Sequence, residues 1–272
     1  MGATDAEKSV SYLPLKRQLP LLAQAFVPIF GIPSLVVALA LFAAVNPDYY
    51  SHDIPSISRT ISIPPASTIF VAFMTPTVIS IVVCWIYGGR MNLWRVRVMK
   101  AAGKSFFWLG VLSVLAATLG IVAGLSLFAL AVVTLDCCLT GHMVFSYLFF
   151  VSQILAFIVD TAFTLLIARS ETNALVHVPA VRRALKYKTR FCAGIVGAGI
   201  CYYLLYLLKD FELGPLQMLV QVTYVMNEYA LCTMLFSYSL FYLPLSTRYS
   251  RKMAQKKEIA LAVGTREKLH AR

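Results

Sequence analysis

Charged side chains are scarce in this sequence of 272 residues. Asp, Glu, Lys and Arg together make up 13% of it, whereas 59% of the residues are hydrophobic and the mean hydropathy is +0.75. Soluble domains contain about 25% charged residues, which they need to cover a surface that faces water. The composition therefore excludes an ordinary soluble protein and predicts an integral membrane protein.

Histidine is also scarce, and the common catalytic motifs are missing. The chain has 4 histidines, of which only His142 lies near a predicted membrane span. This excludes membrane hydrolases that hold a metal with several intramembrane histidines. The sequence contains no His-Glu-x-x-His, no Gly-x-Ser-x-Gly and no phosphate-binding loop. We therefore expect no metal, no cofactor and no catalytic residue, and an enzyme is the less favoured class.

The cysteines do not predict a disulfide framework. Four of the 6 cysteines fall in apolar stretches, and the other two, Cys137 and Cys138, are adjacent in the chain. No Cys-x-x-Cys or mixed Cys/His spacing typical of a zinc site occurs.

Six long apolar stretches predict the fold. A bilayer core about 30 Å thick needs roughly 20 apolar residues for each helical crossing. The stretches that meet this length are 21–45, 66–87, 106–135, 142–168, 191–208 and 215–245. We therefore predict an all-α, six-helix transmembrane bundle over residues 21–245, with tails at 1–20 and 246–272.

The basic residues predict the orientation of this bundle. The two tails and the segments 88–105 and 169–190 hold 22 of the 24 Lys and Arg residues, whereas the alternate segments hold only Arg59 and Lys209. Basic residues stay on the cytoplasmic side of a membrane. Both termini are therefore predicted to be cytoplasmic and the alternate loops lumenal. The net charge of +12 favours an anionic lipid surface, and not nucleic acid, as the partner.

The first lumenal loop and the start of the fourth span contain polar residues that could contact a sugar or phosphate. These candidates are His52, Asp53, Ser56, Ser58, Thr60 and His142. The simpler alternative is a turn bounded by prolines that caps the next helix, with an interfacial histidine beside it.

Two carboxylates lie within predicted spans, at Asp160 and Glu228. Ionisable groups inside a membrane normally face the bundle interior or a wet cavity. In the sixth span Gln221, Tyr224, Glu228 and Cys232 share one helix side, with Asn227 close by. This stripe could line a lipid headgroup cavity or hydrogen-bond to neighbouring helices. Asp160 and Glu228 differ in depth by roughly 14 Å and are not expected to touch.

Two further patterns leave alternatives open. Gly120 and Gly124 form a Gly-x-x-x-Gly motif, for which packing within the chain is the default and a homodimer the alternative. The basic segments 88–105 and 169–190, the latter including Lys188, could bind phosphoinositides or a protein partner, although topology alone explains them.

The first lumenal loop contains the run from Pro55 to Thr60, followed by the pair Pro64-Pro65 and the pair Ile69-Phe70. In these residues the chain resembles the FRAG/DRAM/Sfk family of membrane proteins. His142 and the pair Glu228-Tyr229 agree with the family as well, whereas Ala66 stands where many members have an acidic or amide residue. The family includes GPI-anchor lipid-remodelling factors, damage-regulated autophagy modulators and Sfk-like regulators of phosphatidylinositol 4-kinase.

This resemblance implies a function in lipid handling. Because residues 268–272 also resemble a retrieval signal of the early secretory pathway, the first expectation is a non-catalytic or accessory factor in GPI-anchor lipid remodelling. It would bind a GPI glycolipid in the Golgi or endoplasmic reticulum. The alternative is a scaffold that regulates autophagy or a phosphoinositide kinase at the lysosomal or plasma membrane. A transporter is third, since no internal repeat is detectable.

Overall fold

The computed structural model describes residues 15–51, 54–101, 107–170, 179–209, 211 and 214–242. All regular structure in these ranges is helical, so the predicted all-α class is confirmed. The α-helices are α1 (Leu15–Val45), α2 (Ile57–Thr60), α3 (Ala66–Ala101), α4 (Phe107–Val132), α5 (Leu139–Ser170), α6 (Pro179–Leu208) and α7 (Gln217–Ser237). The C-terminal tail with its retrieval-like end lies outside the described residues.

The six long helices form a closed ring. Each packs against the next long helix along the chain, and α7 packs against α1. Short connections make chain neighbours antiparallel, so alternate helix ends meet at the same end of the bundle. The four-residue helix α2 contacts α1 and α7 at one end, which we call the α2 end. The opposite end carries the basic residues of α3 and α6 and is called the basic end.

Five of these helices are long and apolar enough to cross a membrane. They lie within α1, α3, α4, α5 and α6. The protein is therefore an integral, multi-pass membrane protein. Within the described part of the chain α7 does not meet the same criterion, because Gln217, Gln221, Asn227 and Glu228 lower its hydropathy. The sixth crossing and the cytoplasmic location of both termini thus stay predictions.

The helices extend beyond the apolar stretches that predicted them. Helix α3 continues to Ala101, and α6 begins at Pro179, so much of the segments predicted as cytoplasmic loops is helical. Arginine and lysine are good helix formers, and the change in hydropathy marks where the bilayer core ends and not where the helix ends. The basic residues of these segments therefore stand on helical extensions.

The Gly-x-x-x-Gly motif packs α4 against α3 inside the bundle. A Cβ atom at Gly120 would lie 2.1 Å from the Trp85 ring of α3, and one at Gly124 would lie 3.1 Å from Val82. Trp85 in turn stacks on Phe157 of α5, with ring centroids 5.8 Å apart. Close approach of small residues lets α3 and α4 pack tightly. A homodimer would need a different surface.

We predict that Gly120→Ala destabilises the protein by about 1–3 kcal/mol, because the added methyl group overlaps a rigid indole ring. Thermal unfolding in detergent measures the change. Gly110→Ala on the same helix is the matched control, since a Cβ atom there meets nothing within 4 Å. Equal stability of the two variants would contradict the packing described for α3 and α4.

Candidate functional site

The loop before α3 folds into a short capped helix. Ser56 precedes α2, and its hydroxyl accepts a hydrogen bond from the Arg59 amide at 3.2 Å. The Thr60 hydroxyl donates to the Ser56 carbonyl at 2.9 Å. Serine is a favoured N-cap because its oxygen satisfies an amide that the first helical turn leaves without a partner.

This loop is held against α7 by a buried carboxylate. The Ile57 amide donates to Glu228 Oε2 at 2.9 Å, and Glu228 is only 3% exposed. One residue further along α7, the Tyr229 hydroxyl lies 3.2 Å from Thr60 Oγ1. A carboxyl oxygen at the start of a helix satisfies an amide that the first turn leaves without a partner. Glu228 therefore anchors the loop.

An exposed ion pair connects the same loop to the turn between α4 and α5. Arg59 Nη1 lies 3.2 Å from Asp136 Oδ1, with side chains 42% and 54% exposed. Exposed pairs typically contribute about 0–1 kcal/mol. The buried contacts to α7 are thus the stronger attachment.

A groove of about 550 Å³ opens beside the loop, between α5 and α6. We call it the lateral groove. Residues that line it include Ser58, Tyr147, Ile154, Gly199, Tyr203 and Leu231. Its outer residues Tyr147 and Tyr203 are exposed on the surface of the bundle, whereas Leu231 of α7 is fully buried. The groove is therefore open sideways, toward lipid, and closed at its base by α7.

Tyrosines and a lysine surround the mouth of the groove at the α2 end. The Tyr202 and Tyr224 hydroxyls lie 3.1 Å apart, and their rings stack with centroids separated by 5.2 Å. Lys209 Nζ lies 4.8 Å from the Tyr206 ring centroid and 5.8 Å from that of Tyr224. Cations are attracted to aromatic faces at these distances. The mouth therefore combines one positive charge with several hydroxyl groups.

A second polar cluster lies in the interior near the basic end. Lys188 Nζ donates to Asp160 Oδ2 at 2.5 Å and to Thr164 Oγ1 at 2.9 Å. Asn92 and Tyr238 both donate to the Asp160 carboxylate at 3.4 Å. The side chains of Asp160 and Lys188 are at most 2% exposed, so the ion pair is shielded from solvent.

A cavity of about 40 Å³ adjoins this cluster, lined by residues of α1, α3, α4, α5 and the segment after α7. Gln153 Oε1, which faces the cavity, is buried and has no hydrogen-bond partner among the described residues. The volume suits a few water molecules.

The described residues contain no group of three or more His, Cys, Asp or Glu side chains that could hold a metal ion. All six cysteines are free.

Comparison with protein families identifies the chain. The family described as Frag1/DRAM/Sfk1/Cwh43P N-terminal domain matches residues 19–244. The chain belongs to this family. The match covers all six long helices and confirms the resemblance seen in the loop. Comparison with curated proteins and with solved structures found no match.

The two segments that resemble the family most are in contact. Ser56, Ile57 and Thr60 belong to the loop run, and Glu228-Tyr229 to the sixth predicted span. The structure joins them through the Ile57 amide and the Thr60 hydroxyl. These family-like residues, far apart in sequence, therefore form one structural unit.

The candidate residues from the sequence are distributed over several places. Ser56, Ser58, Gln221 and Tyr224 line the lateral groove. Thr60 and Glu228 hold the loop beside it, while Asn227 donates to the Ala198 carbonyl of α6 at 2.9 Å. Three of the four residues of the α7 stripe thus face either the groove or the loop. This placement is compatible with a stripe that lines a lipid headgroup cavity and with one that hydrogen-bonds to neighbouring segments.

Other candidates lie elsewhere. His142 is fully buried, with Nδ1 2.6 Å from the Val133 carbonyl oxygen, and so lies inside the bundle instead of at an open mouth. Asp160 belongs to the cluster at the basic end, apart from Glu228 as expected from depth. His52 and Asp53 lie outside the described residues.

The basic pattern did not predict the environment of Lys188. The sequence predicts that Lys188 belongs to a cytoplasmic loop that could bind phosphoinositides or a protein partner, but its side chain is 1% exposed. The difference arises because α6 begins at Pro179 and turns Lys188 toward α5.

Sequence reasoning missed Tyr147, Tyr202, Tyr206 and Lys209. A signal was present, because Tyr202, Tyr206 and Lys209 follow each other at spacings of four and three residues and so share one face of α6.

We predict that Glu228→Leu loosens the loop. The variant leaves the buried Ile57 amide without its partner, which costs about 1–3 kcal/mol, so exposure of the loop should rise about fivefold or more. The measurement is the labelling rate of Ser58→Cys in a chain whose other exposed cysteines are replaced. Tyr229→Phe should have a smaller effect.

Thr223→Val is the matched control for this experiment, since Thr223 is exposed on α7 and its hydroxyl donates only to the Leu219 carbonyl. Labelling rates that stay equal in the Glu228→Leu and Thr223→Val backgrounds would show that Glu228 does not anchor the loop.

We further predict strong coupling between Asp160 and Lys188. Asp160→Leu or Lys188→Met alone leaves a buried charge unpaired and should cost about 3–5 kcal/mol. The double variant removes both charges and should recover most of this loss in thermal unfolding. Arg59→Gln, which breaks the exposed pair, should cost less than about 1 kcal/mol. Additive losses in the double variant would contradict the coupling.

Proposed function

We propose that this protein is an accessory membrane factor in GPI-anchor lipid remodelling, acting in the Golgi or endoplasmic reticulum. It handles a glycolipid at the α2 end, which the charge pattern predicts to be lumenal. The observation that carries the proposal is the lateral groove, which lies beside the family-like loop and is open to lipid.

The shape of the groove supports a lipid ligand. A GPI anchor places hydrocarbon chains in the lumenal leaflet and a phosphoinositol glycan above them. The groove offers an apolar interior with Ile154 and Leu231, and polar groups such as Ser58 and Lys209 at its mouth. Ligand sites commonly combine mostly apolar walls with a few polar groups, within volumes of about 300–1,000 Å³.

The arrangement of polar groups supports an accessory role over a catalytic one. The Ser56 hydroxyl is engaged with the Arg59 amide, and the Glu228 carboxylate with the Ile57 amide. A nucleophile and its general base need to lie within hydrogen-bond reach of each other. Here the hydroxyl and the carboxylate stabilise the loop.

A regulatory scaffold for autophagy or phosphoinositide synthesis is the second candidate. The observation in its favour is the helical extension of α3 at the basic end, on which Arg90, Arg97 and Lys100 are exposed. Such a surface attracts anionic lipids or an acidic partner, with about 1 kcal/mol for each basic residue near a membrane.

Deletion of the gene tests the first proposal. We expect altered anchor lipids and lower surface abundance of GPI-anchored proteins, restored by the wild-type chain. Unchanged abundance together with unchanged anchor lipid would end the proposal.

Rescue by variants separates the two candidates. Under the first proposal Glu228→Leu fails to restore the anchor lipids, whereas a chain with Arg90, Arg97 and Lys100 all changed to Gln restores them. The opposite pattern would favour the scaffold. An internal tag verifies equal expression and leaves the retrieval-like C-terminus free.

A further inference from the structure

The lateral groove has the depth of one membrane leaflet. From Gly199 at its inner end α6 advances nine residues to Leu208, or about 14 Å, and Lys209 follows at the mouth. This is about half of a hydrocarbon core roughly 30 Å thick. A chain from a lipid in the adjacent leaflet would therefore fill the groove, while its headgroup stayed at the mouth.

The inner end of the groove is set by a close contact between α5 and α6. A Cβ atom at Gly199 would lie 2.7 Å from Ile154 Cδ1, so the two helices meet at this depth. Toward the α2 end the same helices leave space between them, and Ser146 and Phe150 line it from α5. The groove thus begins at the mouth and stops at Gly199.

The charge at the mouth indicates which lipid chemistry fits. Lys209 is a basic residue of the predicted lumenal segments, and it lines the lateral groove. Lys209 lies over the rings of Tyr206 and Tyr224, and the Tyr224 hydroxyl lies 3.1 Å from that of Tyr202. A phosphate beside Lys209 would find a cation and hydroxyl donors at the level where a lipid headgroup sits.

We propose that the lateral groove binds one hydrocarbon chain of an anionic phospholipid, with the lipid phosphate at Lys209 and the chain between α5 and α6 as far as Gly199. This inference deepens the proposed function, since it names the lipid class and its orientation in the same site. Lys209 selects the headgroup, whereas Gly199 sets how far the chain enters.

Photo-crosslinking in nanodiscs tests the inference. The probes are a phosphatidylinositol and a phosphatidylcholine that carry the same diazirine-labelled acyl chain. We expect phosphatidylinositol to label peptides of α5 and α6 that line the groove, near Tyr147 to Ile154 and Gly199 to Tyr206. Equal labelling of the outer faces of α1 and α4 would overturn the proposal. That result would identify the groove as ordinary lipid-facing surface or as a contact site for another helix.

Two variants make the test specific. Gly199→Leu places a side chain at the inner end and should reduce groove labelling by both probes. Gly197→Leu on the same helix is the matched control, because a Cβ atom there meets nothing within 4 Å. Thermal unfolding confirms that each variant is folded. Equal groove labelling in folded Gly199→Leu and Gly197→Leu would contradict the assignment of the chain.

Lys209→Gln tests the headgroup separately. Loss of one basic contact should lower phosphatidylinositol labelling about fivefold and leave phosphatidylcholine labelling little changed. An equal effect on both probes would contradict a phosphate site selective for anionic lipid. These results are independent of the cellular assay: groove labelling with unchanged GPI anchors would refute only the proposed function, and altered anchors without groove labelling only this inference.

Discussion

A polar group inside the hydrocarbon core of a membrane must find its partner within the protein, because no water is available there. The rest of this structure follows from that constraint. Glu228 accepts from the Ile57 amide and Asp160 pairs with Lys188, so each buried carboxylate lies at one end of the ring. The Glu228 contact joins segments 171 residues apart in the sequence, whereas the Asp160 and Lys188 pair joins the consecutive helices α5 and α6. Both contacts need α6 and α7 to pack where they do. The helix packing that closes the ring therefore also brings these polar groups to their hydrogen-bond partners.

The two ends use these contacts differently. At the basic end the Asp160 and Lys188 pair is enclosed by α3, α5, α6 and the segment after α7, beside a small interior cavity. At the α2 end the Glu228 contact holds a surface loop at the edge of a groove that opens to lipid. The first arrangement stabilises the bundle. The second holds residues beside the groove, which is why we propose lipid handling at the α2 end.

Much of this architecture could be predicted from the sequence, and the rest depended on three-dimensional packing. Hydropathy predicted the long helices, and the loop residues predicted the family. Hydropathy could not show that α3 runs to Ala101 or that Lys188 turns inward, because both depend on which helix face meets a neighbour. The groove could not be predicted from the sequence either. It exists because α5 and α6 touch at Gly199 and separate beyond it.

The predicted orientation puts the α2 end and the basic end on opposite sides of the membrane. Labelling with a membrane-impermeant thiol reagent in sealed vesicles tests this most directly, using two chains that each hold one exposed cysteine. One keeps the native Cys137 in the turn after α4, and the other carries Arg97→Cys on the extension of α3. With the predicted orientation, Cys137 is labelled only from the lumenal side and position 97 only from the cytoplasmic side. Labelling of both positions from the same side would contradict it.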